Sequence, residues 1–342
     1  MRVNLGSYMK TALFLFLMSI SSFVFSAEWI SPTDVKYQTK NQDLFNKFNL
    51  ARDLVNSWRG QSGKLVAADK ILKEILEEDS EYAPVYREYG RIHIMNGYIN
   101  SSRFKEGSLD LSEKFILKSI EIEPEYADAY VLLGHLYTQM KKYKEAQVAL
   151  EKAESIGTKS PWLNLNWASL FVEQAQYNKA LQQYINVLMG QTSDKKAYIT
   201  ALSGLTKFYE MSGDYENTRT YFIKQIEYEP GSAWILGNYA SFLLFSYGDI
   251  DEAIKNSKKA LEIMDYEMGK LVLACALYTK WALSLDNPTK RDEAENYFNQ
   301  AWLIYPYLNE IIEKTKIHKH TNVTARKLQD LLEKKQMATR QL

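Results

Sequence analysis

Apolar positions between Ala127 and Ala153 recur at helical spacing and then change phase. Tyr130, Leu133 and Tyr137 share one stripe, which breaks at Lys141–Lys142 and restarts through Tyr143, Ala146, Leu150 and Ala153. A phase shift at a polar dipeptide predicts two short helices joined by a tight turn, not one long helix. Small residues stand where such helices cross: Gly134 on the first, Ala146 and Ala153 on the second. A larger side chain there would overpack the contact by roughly 1–3 kcal/mol.

The unit returns along the chain. Tyr177, Ala180 and Val187 stand 34 residues after Tyr143, Ala146 and Ala153. Gly213-Asp214-Tyr215 and Gly248-Asp249-Ile250 repeat the turn. Asp251-Glu252-Ala253 and Ala260 follow it, and Asp292-Glu293-Ala294, Phe298, Ala301 and Pro306 give another copy. The period is that of the tetratricopeptide unit. From about residue 42 to 306 the chain resembles a tetratricopeptide-repeat protein. The resemblance implies an all-α fold, a right-handed superhelical solenoid of antiparallel helix-turn-helix hairpins, with about seven units.

The flanks read differently. Lys10, an apolar run from Thr11 to Phe25 and the small residues Ser26 and Ala27 predict a secretory signal peptide over residues 1–27. Export follows, to the periplasm in a Gram-negative bacterium. The run is shorter than the ~20 residues a spanning helix needs, although an uncleaved anchor is the alternative. Residues 28–41 show no period and read as an extended lead-in. Residues 307–342 hold eight Lys/Arg against four Asp/Glu and read as C-terminal capping helices with a basic tail. Within the array, repeat places 11 and 20 fall at His93 and Ser112, which leaves about ten residues inserted within Asn96–Asp110 as a surface loop. One extra residue is expected near Ser246–Tyr247.

Composition narrows the chemistry. An aromatic share of 13% can offset the entropy of ordering and argues against disorder. A formal charge of +0 gives no broad attraction to nucleic acid. The lone Cys275 excludes an internal disulfide, and its apolar surroundings make it a core residue. No HExxH, CxxC, GxSxG or phosphate-loop pattern occurs. His318 and His320 cannot share a helical face, and His93 and His135 occupy different repeat places. No enzyme, cofactor or metal is therefore expected.

What remains is binding. The resemblance implies that first-helix places line a concave, peptide-binding groove. Carried over by place, these are Arg87 and Arg91; Asp128, His135 and Gln139; Trp162, Asn166, Ser169 and Glu173; Lys207 and Glu210; and Trp234, Asn238 and Ser241. Trp162 and Trp234 share one place, as do Asn166 and Asn238. An Asn side chain can grip a peptide backbone through both donor and acceptor. Arg87 and Arg91, one helical turn apart, can hold a carboxylate. The competing reading packs both Trp against the preceding repeat and leaves both Asn on a helix surface. The implied partner is a protein or peptide. Self-association and membrane proximity through the N-terminus or basic tail are the alternatives.

Overall fold

The computed structural model describes residues 30–58, 62–100, 103–285 and 288–307. The expected signal peptide, the region after Tyr307, and His318 and His320 lie outside these residues. The chain divides into two compact units between Ala201 and Leu202.

Unit 1 begins with α1 (Pro32–Lys40). Four hairpins follow: α2 (Gln42–Asn56) with α3 (Ser62–Glu78), and α4 (Ala83–Gly97) with α5 (Ser108–Ile122). Then come α6 (Ala127–Gln139) with α7 (Tyr143–Ile156), and α8 (Pro161–Glu173) with α9 (Tyr177–Met189). The phase shift read between Ala127 and Ala153 is the α6–α7 turn. A Cβ placed on Gly134 would lie 2.5 Å from Leu150 Cδ2, so the small residue is required for that crossing.

The boundary falls inside α10 (Lys195–Ser212). Unit 2 continues with α11 (Tyr215–Tyr228), α12 (Ala233–Phe242), α13 (Ile250–Ile263), α14 (Glu267–Ser284) and α15 (Arg291–Ile304). Its core gathers Leu273 to Tyr278 of α14 with Phe242, Leu243 and Phe298. Cys275 is buried there, as its apolar neighbours predict. Each unit is an all-α stack of helical hairpins, and among the described residues unit 1 adds one small ribbon.

One turn geometry recurs. The backbone N–H groups of Lys142, Gln176 and Asp214 donate to the carbonyls of Tyr137, Phe171 and Tyr209 at 2.9, 2.7 and 2.9 Å. Each bond closes a helix C-terminus by the six-to-one pattern that needs a left-handed residue. Gly213 supplies it at φ 75°. Lys141 and Ala175 adopt φ 60° and 57° without being glycine. Asp214 and Asp249 then cap α11 and α13 by accepting from Asn217 and Glu252 N–H groups. The extra residue near Ser246–Tyr247 is absorbed as a π-turn over Leu243–Tyr247, which Gly248 ends at φ 93°.

Two segments differ from their sequence reading. The lead-in is not extended: Pro32–Lys40 is helical. Ser31 Oγ accepts from the Asp34 N–H at 3.0 Å, Pro32 stands in the first turn, and Lys40 ends the helix, so caps outweigh the missing apolar period. The Asn96–Asp110 insert is more than a loop. Tyr98–Asn100 (β1) pairs antiparallel with Arg103–Phe104 (β2), and the Tyr98 ring stands edge-on to Phe104 at 5.8 Å.

Candidate functional site

The first helices α2, α4 and α6 of unit 1 carry a buried charge cluster. Glu88 is fully buried at 0% exposure. The Arg87 guanidinium donates to one of its oxygens, and Arg91 Nη1 donates to the other at 3.1 Å. Arg91 Nη2 also donates to Asn56 Oδ1 at 2.6 Å. The two arginines expected to hold a carboxylate therefore hold one from their own helix. Burial opposes both guanidinium charges. At Arg87 the combined fields of Glu88, Tyr126, Asp128 and Asp34 exceed it and the pKa is raised, whereas at Arg91 burial prevails and the pKa is lowered.

Asp34 of α1 and Asp128 of α6 complete the cluster. Asp34 Oδ2 accepts from Arg52 Nη1 at 2.9 Å. Burial lifts the Asp128 carboxyl above its usual value, and the Arg87 charge opposes that shift. Four buried polar atoms here have no hydrogen-bond partner: Asp34 Oδ1, Tyr82 OH, Arg87 Nε and Asp128 Oδ1.

The other unit 1 candidates are spread along α6 and α8. Asn166, only 8% exposed, donates its Nδ2 to the Val131 carbonyl at 2.9 Å. Its amide grips backbone, but of its own chain. Trp162 is half-buried, and its Nε1 donates to Asp194 Oδ2 at 2.7 Å. Burial pushes the His135 imidazole down to about 4, so it is neutral near pH 7. Gln139 and Ser169 are half-buried, whereas Glu173 is exposed and accepts from the Tyr143 hydroxyl at 3.3 Å.

Unit 2 leaves Lys207, Trp234 and Asn238 exposed. Trp234 is 58% exposed, with its ring tilted against that of Tyr266 at 4.9 Å between ring centres. Asn238, one turn further along α12, is exposed, as is Lys207 on α10. Ser241, a further turn on, is half-buried. Glu210 accepts from Ser246 Oγ at 3.1 Å. The shared repeat place thus has two outcomes: a tryptophan fixed by a carboxylate in unit 1 and an open aromatic face in unit 2.

Sequence reasoning missed Asp34, Arg52, Glu88 and Tyr37. Glu88 had a signal, since an acid three residues before Arg91 and adjacent to Arg87 can serve both as counter-ion. Asp34 and Tyr37 lay in the segment read as extended. Among the described residues no group of three or more His, Cys, Asp and Glu is placed to hold a metal ion. No helix among them is long and apolar enough to cross a membrane.

Residues 127–156, the α6–α7 hairpin, match the tetratricopeptide repeat family model. No curated protein matches the chain. Among solved structures, PilW, described as a widely conserved type IV pilus biogenesis factor, is similar with a TM-score of 0.52 at 17% identity. That match covers 68% of this chain and 99% of PilW. A chain of the APC/C hetero-tetramer Cut9–Hcn1 is similar with a TM-score of 0.53 at 14% identity, covering 78% of this chain and 51% of that one. This chain thus spans about half the length of that relative. Pseudomonas aeruginosa PilF gives a TM-score of 0.49 at 17% identity, covering 70% of this chain and 99% of PilF. At these identities the likeness is one of fold.

Proposed function

Because the chain carries a tetratricopeptide repeat and folds as a solenoid of that kind, we propose that it is an exported scaffold that holds a protein or peptide partner. Its place of work is the periplasm and its role is envelope assembly. The N-terminal pattern supports export, and the fold likeness to a pilus biogenesis factor over nearly all of that protein supports the envelope role.

The exposed Trp234 ring, with Asn238 one turn away, carries the reading. A Trp left 58% exposed on a packed helix gains apolar burial only when something covers it. Asn238 beside it offers a donor and an acceptor to a backbone. Trp162 and Asn166, tied to Asp194 and Val131, are structural in this scheme.

Affinity capture from the native envelope tests it, comparing the wild type with a Trp234→Ala, Asn238→Ala double variant. A protein retained by the wild type and lost by an equally helical variant supports the assignment. Equal recovery removes this face as the partner surface. Sedimentation of the wild type addresses self-association, for which a concentration-dependent mass is expected.

A further inference from the structure

Helix α1 sits against unit 1 as a bound peptide would. It buries one side of itself, Thr33, Asp34 and Tyr37, and leaves Val35, Lys36 and Thr39 exposed. Tyr37 packs on Tyr82 with ring centres 4.6 Å apart. Its hydroxyl donates to the Glu81 carbonyl at 3.3 Å and accepts from the Ala83 N–H at 3.2 Å. Asp34 reaches Arg52 on α2, and its charge acts on Arg87 and Asp128, both at groove places. The remaining ties are ionic: Lys36 to Glu123, and Lys40 Nζ to Asp79 Oδ2 at 2.7 Å.

The fit is incomplete beneath it. Asp34 Oδ1, Tyr82 OH, Arg87 Nε and Asp128 Oδ1 are buried without a hydrogen-bond partner. An occupant that excludes water from polar atoms without bonding to them is held less tightly than its contact area suggests. The connection to the body is also short: Asn41 alone, in extended conformation at φ −156°, separates α1 from α2. Rotation about that one residue moves α1 away without unfolding a hairpin.

We propose that α1 is an internal occupant of the seat formed by Arg52 of α2, the Asp79–Ala83 turn that leads into α4 and Glu123 at the end of α5, and that a partner's short helix displaces it there. That helix carries an acidic side chain three residues before an aromatic one, the spacing of Asp34 and Tyr37. The acid takes Arg52 and the Arg87 Nε, and the aromatic ring takes the Tyr82 slot. This rests on the scaffold reading and names the chemistry of a partner segment.

The test uses the full chain and a fluorescein-labelled peptide with the sequence of residues 31–42. In one variant, Asp34→Ala with Tyr37→Ala loosens α1. In another, Lys36→Cys with Glu123→Cys is bridged by a reducible dithio-bismaleimide, which the buried Cys275 does not intercept. The loosened chain is expected to bind the peptide at least tenfold more tightly than wild type. The bridged chain is expected to bind it at least tenfold more weakly until the bridge is reduced. A peptide with both key residues changed to Ala should not bind. Equal binding by the wild-type, bridged and reduced chains overturns the proposal, as does a helical loosened chain that gains nothing. If envelope capture through Trp234 and Asn238 persists while the peptide fails, this inference falls and the scaffold reading stands. If no variant captures a partner and the peptide still follows the bridge, only the envelope reading falls.

Discussion

Asn166 Nδ2 donates to the Val131 carbonyl at 2.9 Å, linking α8 to α6. The bond crosses from one hairpin to the next, so it ties neighbouring repeats rather than positioning a ligand. Val131 O already lies in a helix, and Asn166 uses its second lone pair. Replacing Asn166 with Ala is expected to destabilise unit 1 by about 1–2 kcal/mol, the value of a buried hydrogen bond. Chemical denaturation measures this. A midpoint unchanged from wild type would show that the bond adds nothing, and the variant should capture partner as well as wild type does.

The same comparison shows why the site was only partly legible. Repeat period, turn position and small crossing residues are local signals, and Gly134, Lys141–Lys142 and Tyr143 stand where the sequence places them. The role of a groove-place residue depends on neighbours distant in sequence. Asn166 and Asn238 share a place, yet one meets Val131 and the other faces solvent. Trp162 is claimed by Asp194, 32 residues on, while Trp234 meets the Tyr266 ring and stays mostly exposed. The helix at Pro32–Lys40 escaped notice because caps and ion pairs hold it, and neither gives an apolar period.

Glu88 is the shared counter-ion of two buried guanidinium groups. Removing one member of a buried ion pair leaves an uncompensated charge and costs about 3–5 kcal/mol. Glu88→Gln preserves shape and is expected to destabilise unit 1 by that order. Adding Arg87→Gln should restore part of the loss, because one unpaired charge goes with it. Denaturation midpoints of both singles and the double give the coupling. Additive losses would show that the charges are already hydrated.

Ala175 takes the left-handed conformation that Gly213 takes in the equivalent turn, at φ 57° against 75°. A Cβ in that region costs roughly 1–2 kcal/mol, whereas glycine enters it freely. Against this, glycine loses more chain entropy on folding. The balance predicts that Ala175→Gly stabilises the α8–α9 hairpin by about 0.5–1 kcal/mol. Thermal unfolding of the variant should shift upward. A downward shift would mean that the chain entropy of the unfolded state outweighs the strain at this turn.

His135 sets an acid-sensitive contribution to stability. Burial pushes its folded-state pKa down to about 4, from 6.5 in the unfolded chain. Between those values the unfolded state binds the proton and the folded state does not, so stability rises with pH across the window. The contribution is intact above pH ~6.5 and is lost progressively on acidification toward pH ~4, by roughly 2–3 kcal/mol. Carboxylates titrate in the same range, so the measurement is a difference: stability against pH for wild type minus that for His135→Gln. That difference should be flat above pH ~7 and should move against the wild type by the stated amount as pH falls to ~4. A difference that stays flat throughout would place the imidazole in contact with water and remove His135 as a titrating element of the fold.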